Sequence, residues 1–385
     1  MINDEDSPTD KAIIPEDTNR QLSLPSNMVN RGLELATRVE LQRNIQKYQK
    51  PIRYFAGIRV PSCIDFSRNG EFAAITGYGG RGGENPELII WNVINEHTTI
   101  LSAKIHGLPL GYVFSVALSS SGNTALVGYD DGGILGWDIR AKSILHDFRG
   151  ITYNTYGESA TCIVISPTDQ CFAECASYRV CLRDAKSGKE MQRFQGRISC
   201  YNQMAFSNDG SKLLVAHVEQ TERGELMTLI DLNGELKPVL FGGDRIRDIT
   251  AVSIFPDNQK LLSLDSDGVI TVWNATNSNE ILHWSHTKSP SDVNNIISEK
   301  QPRENVNLVT KNSIIWGLSS VAVSPDGNRI LSGGVDTYMR LWTLSGREIF
   351  EFPHDTRVVK VAFSPDGRRA LSGCWDGSVY VWELP

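Results

Sequence analysis

The chain has 385 residues, of which 40% are apolar and 22% charged, and its formal net charge is -7. This composition excludes a fibrous or wholly disordered chain. We find no run of 18 apolar residues and no apolar segment at the N-terminus, so we expect neither a membrane span nor a secretory leader. The acidic balance disfavours a broad nucleic-acid surface, because such surfaces use Lys and Arg to neutralise phosphates.

The cysteines have neither the spacing of a disulfide framework nor that of a zinc site. We therefore expect reduced thiols in a cytoplasmic protein. The seven positions are Cys63, Cys162, Cys171, Cys175, Cys181, Cys200 and Cys374.

The first fifty residues differ in character from the rest of the chain. Residues 1–25 carry six carboxylates against one Lys and one Arg, which predicts a disordered acidic tail. Residues 26–50 follow a helical apolar pattern and predict a short helical arm. The apolar stripe changes sides near Glu40, so either the helix breaks there or the arm touches two surfaces. The arm could pack on its own chain or on another subunit.

From residue 51 onward the sequence repeats. The segment "VVKVAFSPDGRRALSGCWDGSVYVW" matches "LSSVAVSPDGNRILSGGVDTYMRLW" just before it, and five weaker copies precede them. Each copy reads as three apolar runs separated by turns, followed by a weaker fourth run. This period predicts four antiparallel strands per copy, as in a propeller blade. The third runs end at Trp91, Trp137, Arg183, Ile230, Trp273, Trp342 and Trp382.

The last copy has only three strands before the chain ends. The segment "PIRYFAG" at 51–57 stands where the fourth strand of a preceding blade would lie. We expect it to complete the last blade and to close the ring, because two free sheet edges would otherwise remain.

Connection lengths separate the two rims of the predicted ring. Turns between first and second strands are short, and they define the plain rim. The top rim holds the second-to-third turns and the links between blades, with insertions at 77–87, 149–159, 219–225 and 286–312. Long surface loops are often functional, so we expect the top rim to be the main binding face. Neutral lengthening of loops is the alternative, since it costs little free energy.

The motifs "SPDG", "LSGG.D" and the closing Trp resemble those of the WD-repeat (WD40-type) β-propeller family over residues 51–385. The resemblance implies an all-β, seven-bladed propeller of four-stranded antiparallel blades. It also implies a non-catalytic scaffold for protein–protein interactions, without a cofactor. Copies three and four depart from the family pattern, because Arg183 and Ile230 replace the expected Trp.

The resemblance assigns four residues of the last copy to a buried structural tetrad: His354, Ser372, Asp376 and Trp382. Out of context these residue types suggest a Ser/His/Asp hydrolase, but no G-x-S-x-G elbow or oxyanion motif accompanies them. Copy five keeps Ser263, Asp267 and Trp273, and copy six keeps Ser332, Asp336 and Trp342. Neither shows a clear histidine.

The family's exposed top positions give the partner-binding candidates. Aromatic residues and Arg dominate interface hot spots, which favours several of them. The candidates are Tyr112, Asp130, Tyr201, Arg247, Asp248, Trp316, Arg357 and Trp375.

Two alternatives to a protein scaffold remain open. Basic residues concentrate in copies two and three, which would suit nucleic acid, although neighbouring carboxylates dilute their charge. An enzyme would need a site in the central channel or in the 286–312 loop, and no paired carboxylates, metal cluster or nucleophile supports one.

Overall fold

The computed structural model describes residues 51, 53–55, 61–77, 88–95, 97–101, 113–129, 132–148, 160–176, 179–195, 204–216, 225–233, 239–242, 249–286, 320–376 and 378–385. These residues all belong to one compact unit, Tyr48–Pro385. The predicted acidic tail and helical arm lie outside them. Every helix or strand within the described ranges is a β-strand.

The strands form seven four-stranded antiparallel sheets within the described part of the chain, which confirms the prediction of an all-β, seven-bladed propeller. Blade one contains β2 (Pro61–Phe66), β3 (Phe72–Gly77), β4 (Leu88–Asn92) and β5 (Thr98–Leu101). Blade two contains β6 (Val113–Leu118), β7 (Thr124–Tyr129), β8 (Ile134–Asp138) and β9 (Ser143–Asp147). Blade three contains β10 (Ala160–Ile165), β11 (Cys171–Ala176), β12 (Arg179–Asp184) and β13 (Glu190–Gln195).

The remaining blades follow the same order from the inner to the outer strand. Blade four contains β14 (Met204–Phe206), β15 (Lys212–Ala216), β16 (Glu225–Asp231) and β17 (Val239–Gly242). Blade five contains β18 (Ile249–Ile254), β19 (Lys260–Asp265), β20 (Val269–Asn274) and β21 (Glu280–Ser285). Blade six contains β22 (Ser320–Val323), β23 (Arg329–Gly333), β24 (Tyr338–Thr343) and β25 (Glu348–Pro353). Blade seven contains β26 (Val358–Phe363), β27 (Arg369–Cys374), β28 (Val379–Glu383) and β1 (Arg53–Phe55).

The first and last blades meet along a seam. Strand β1 pairs antiparallel with β28, with Arg53 opposite Val381 and Phe55 opposite Val379. Inner strand β26 contacts β2, just as the other inner strands contact their successors in chain order. An apolar cluster fills the seam, with Leu371 and Val381 of blade seven against Ile75 of blade one. Burial of this kind is the main favourable term in folding.

Each plain-rim turn between first and second strands needs one residue with a left-handed backbone. Gly occupies that position in five blades, because it has no Cβ to clash. Asp169 and Asn258 occupy it in blades three and five, and these two types tolerate the conformation best among other residues. The short turns predicted between the first and second strands are therefore present in all seven blades. The residues are Gly70, Gly122, Asp169, Gly210, Asn258, Gly327 and Gly367.

The outer strands of blades two, three, five and six each contain a β-bulge at the same place. The extra residue lies opposite the end of the third strand, so it is outside the regular pairing. In every case it is a large apolar residue exposed to solvent. These residues are Leu145, Met191, Ile281 and Ile349.

Candidate functional site

Most of the partner-binding candidates fall outside the described residues. These are Tyr112, Asp130, Tyr201, Arg247, Asp248 and Trp316. Arg357 and Trp375 are described, and both lie at the top rim of blade seven.

Arg357 and Trp375 lie side by side. The backbone N–H of Trp375 donates a hydrogen bond of 2.9 Å to the carbonyl oxygen of Arg357. A bulge between Val358 and Lys360 follows directly in β26, and such bulges redirect neighbouring side chains. Both side chains are half-buried. Chain geometry thus brings together two positions that are 18 residues apart in sequence.

The Arg357 guanidinium has no ionic partner among the residues that the structure describes. Partial burial lowers its pKa, yet an arginine side chain stays protonated in proteins. Within the described ranges it forms no ion pair and no side-chain hydrogen bond. A half-buried guanidinium can attract a carboxylate or an aromatic ring of a partner.

The tetrad residues of blade seven are joined in part. Trp382 Nε1 donates to Ser372 Oγ at 2.8 Å, and Ser372 Oγ lies 2.7 Å from His354 Nε2. His354 Nδ1 lies 2.9 Å from the carbonyl oxygen of Phe352, which can only accept. The neutral imidazole therefore carries its proton on Nδ1 and accepts from Ser372. Burial lowers the pKa of His354 to about 4, in agreement with this neutral form.

Asp376 does not complete the set in the way the family resemblance implies. Its Oδ1 accepts from the backbone N–H and the hydroxyl of Ser378, at 3.0 and 2.5 Å. His354 has no hydrogen bond to Asp376 in the described part of the chain, because its Nδ1 is used by the Phe352 carbonyl.

Blade six has a full network, and the expectation that it lacks a histidine is wrong. His286 follows β21, and its Nδ1 lies 2.7 Å from Ser332 Oγ. His286 Nε2 lies 3.1 Å from Asp336 Oδ1, and Trp342 Nε1 donates to Ser332 Oγ at 2.7 Å. The insertion between His286 and β22 concealed the relationship. A signal was nevertheless present, since "EILHWSH" ending at His286 matches "EIFEFPH" ending at His354.

Arg340 extends the blade-six network outward. Its Nη1 donates to Asp336 Oδ2 at 2.5 Å, and its Nε donates to Glu351 at 2.9 Å. The attraction between Arg340, His286 and the Asp336 carboxylate outweighs burial and lowers the pKa of Asp336. These are internal contacts of one blade, which indicates a structural role.

Blade three replaces the Trp–Ser bond with an ion pair. Arg183 takes the Trp position opposite Phe172, and Glu174 takes the Ser position two residues further on. Arg183 Nε donates to Glu174 Oε1 at 2.6 Å, and both side chains are buried. Blade four fills the same two positions with Val215 and Ile230.

The basic residues of blades two and three are only partly available to a ligand. Arg183 is neutralised by Glu174, and Arg193 pairs with Glu190 at 2.6 Å. Arg140, Lys142, Lys186 and Lys189 are exposed at the plain rim.

The cysteines correct one sequence-based expectation. Cys175 is disulfide-bonded, so the expectation that all the thiols are reduced is wrong at this position. Five others are free: Cys63, Cys162, Cys171, Cys181 and Cys374.

The described residues contain neither a metal-binding cluster nor a membrane-spanning helix. No three His, Cys, Asp or Glu side chains there come together as a metal site. No helix in those ranges is long and apolar enough to cross a membrane.

A known protein-family model matches the sequence of the last two blades. The model described as "WD domain, G-beta repeat" matches residues 311–343 and 346–383. A comparison with curated proteins finds no match.

Proposed function

Since this chain is a seven-bladed propeller that carries WD40 repeats in its last two blades, we propose that it is a non-catalytic scaffold for protein–protein interactions. Propellers of this kind typically serve such a role. The binding face in this proposal is the top rim, and the assembly is cytoplasmic.

The observation that carries the proposal is the Arg357–Trp375 pair. Arg357 is half-buried and has no ionic partner among the described residues, and a backbone hydrogen bond joins it to the half-buried Trp375 on the insertion-rich rim. Trp and Arg are the residue types most enriched among interface hot spots. The pair suits a partner segment that offers a carboxylate next to an apolar or aromatic side chain.

The helical arm at 26–50 and the six undescribed candidates belong to the same proposal. A scaffold that uses both the arm and the top rim would join two partners at once.

The test compares two variants in affinity capture from cells that express the protein. The variant R357E/W375A changes the top rim, and R368E makes the same charge reversal at an exposed plain-rim turn of the same blade. We expect R357E/W375A to lose specific partners that intact protein and R368E both retain. Equal recovery from all three proteins would contradict this binding face.

Nucleic-acid association is the second candidate, supported by the exposed plain-rim bases Arg140, Lys142, Lys186 and Lys189. A binding titration at several salt concentrations separates the two functions, because phosphate binding weakens steeply with salt. Cell fractionation tests the proposed cytoplasmic location. This test matters because Cys175 is disulfide-bonded, and disulfides are rare in cytoplasmic proteins.

A further inference from the structure

Each inner strand around the central channel has two positions, two and four residues before the plain-rim turn, that are uncharged in nearly every blade. Asp65 lies two residues before the turn serine Ser67, and its equivalents in the other blades are small and uncharged. These equivalents are Ala117, Val164, Ala205, Ser253, Ala322 and Ala362. Blade one alone has a carboxyl group at this position, that of Asp65.

Lys360 is a second departure, on the neighbouring blade. It lies four residues before Ser364, and the described equivalents are Cys63, Ser115, Cys162, Ala251 and Ser320. Blades seven and one are adjacent in the ring, so the acid and the base lie on neighbouring inner strands.

The small residues leave open space between the inner strands. One cavity of about 290 Å³ is lined by Asp65, Lys360, Cys63 and Cys162 among others. An adjoining cavity of about 500 Å³ continues to the plain-rim turns, and both share Asp65, Phe66, Arg68 and Phe206. Volumes of this size are typical of small-molecule sites.

Arg68 stands at the plain-rim mouth of this space. Its Nη2 donates to Asn208 Oδ1 at 3.1 Å, which joins blade one to blade four across the channel. The guanidinium forms no ion pair within the described ranges. Its positive charge therefore remains available at the entrance.

Asp65 and Lys360 are close but not paired. Burial raises the pKa of Asp65, Cys63 and Cys162, and the nearby charge of Lys360 only partly opposes this rise. No oxygen of Asp65 lies within ion-pair distance of Lys360 in the described part of the chain. Asp65 Oδ2 accepts a hydrogen bond of 2.6 Å from the backbone N–H of Leu118. The backbone N–H of Phe66 also contributes a hydrogen bond to this carboxylate, so both of its hydrogen bonds come from the backbone. Burial raises the pKa of Asp65 to about 6, because removal from water outweighs the hydrogen bonds and the charge of Lys360 that stabilise the carboxylate.

We propose that this space, the channel site, binds a small zwitterion: a free α-amino acid with an apolar side chain. Its ammonium group would contact Asp65, and its carboxylate would contact Lys360. The side chain would pack against Phe66 and Phe206 below Arg68. Such a ligand supplies both missing counter-charges at once, whereas a simple cation or anion supplies only one. The proposal does not depend on the top-rim scaffold function.

The charge on Asp65 makes binding pH-dependent. The groups that face it are Lys360, Arg68 and the thiols of Cys63 and Cys162, whose pKa values burial raises, that of Cys162 to about 11. Burial keeps both thiols neutral near neutral pH, so we attribute the pH dependence of binding to Asp65. We expect the affinity to fall as pH drops from 7.5 to 5.

The test uses L-phenylalanine and two derivatives in calorimetric titrations of the full chain. L-phenylalaninamide lacks the carboxylate, and N-acetyl-L-phenylalanine lacks the ammonium group. We expect each derivative to bind about tenfold more weakly, as for loss of one charged hydrogen bond.

Two variants test which side chain contacts which charged group of the ligand. K360M should abolish the preference for phenylalanine over its amide, and D65N should abolish the preference over the acetyl derivative. Asn at 65 keeps an acceptor for the Leu118 N–H, so the fold should be retained, which circular dichroism checks. R368Q, outside the cavity, should leave both preferences unchanged. Absence of binding by intact protein at millimolar phenylalanine would overturn the proposal, as would preferences that persist in K360M and D65N.

Discussion

His286 and Ser332 are 46 residues apart in sequence, yet His286 Nδ1 lies 2.7 Å from Ser332 Oγ in the interior. The contact fixes the start of the long top-rim insertion to the second strand of blade six. Through Ser332 it reaches Trp342, and through Asp336 it reaches Arg340. One side chain therefore holds together the polar interior of this blade.

Substitution of His286 by Ala should lower the free energy of unfolding by about 1–3 kcal/mol, because buried groups on Ser332 and Asp336 lose a partner. The measurement is a chemical denaturation curve. H283A is the matched control, since His283 is exposed and its pair with Glu280 is a surface contact. Equal midpoints for H286A and H283A would contradict a structural network.

His354 should make stability depend on pH. Its folded pKa of about 4 lies below the ordinary value of 6.5, so the unfolded chain binds its proton first. Its contribution is complete above pH 6.5 and is lost as pH falls toward 4. H354A should lower the denaturation midpoint at pH 7.5 and flatten this part of the pH profile, with partner binding retained. A variant with the same slope as intact protein would place the titration elsewhere.

The buried ion pair of blade three should be sensitive to loss of one partner only. R183M leaves the Glu174 carboxylate buried alone, so we expect a loss of about 3–5 kcal/mol. The double variant E174V/R183I copies the apolar pair of blade four, Val215 with Ile230, and should be close to intact protein in stability. Thermal unfolding distinguishes the two. A double variant as unstable as R183M would mean that the charges themselves are needed.

Deletion of residues 51–57 should leave the outer edge of β28 unpaired. An unpaired strand edge can pair with another molecule, so we expect aggregation, detected by light scattering during size-exclusion chromatography. Deletion of residues 1–25 is the control and leaves Arg53–Phe55 in place. A monomeric deletion variant with unchanged thermal unfolding would refute this role for β1.

The seam between blades seven and one should not tolerate a larger residue at Gly373. A Cβ atom there would lie 1.7 Å from Ile64 Cδ1, so G373A forces the Ile64 side chain of blade one to move within a packed seam. We expect a loss of about 1–3 kcal/mol, typical of overpacking. G373A/I64V removes the nearest methyl group and should recover part of the loss in a denaturation curve. If I64V gives no recovery, the two blades are not in contact at this point.

The repeat period was enough to predict the blades because each blade is a local unit with its own turns. The left-handed turn position shows this well, since Gly327 and Gly367 follow the same "SPD" triplet. The missing histidine of blade six shows the limit. His286 follows the last strand of blade five and is separated from blade six by an insertion, so its relation to Ser332 is not visible within one repeat copy.

Contacts across the channel leave no pattern in the sequence. The hydrogen bond from Arg68 to Asn208 joins blades that are not neighbours in the chain or in the ring. Asp376 shows a local effect. Among the described residues it accepts a hydrogen bond from Ser378 and none from His354, because the Phe352 carbonyl oxygen already accepts from His354 Nδ1. Such contacts depend on strand register and on the direction of each side chain. The length of the repeat predicts neither of these.

The four exposed bulge residues, Leu145, Met191, Ile281 and Ile349, give a direct way to count the blades in solution. Each stands at the same height on the circumference and outside the strand pairing, so a spin label there would not disturb the interior. In a sevenfold ring, blades three apart and blades four apart are equally distant across the disc. Pulsed electron paramagnetic resonance on labelled pairs should therefore show 145–281, 191–349 and 145–349 as one distance class, a coincidence that rings of six or eight blades do not produce.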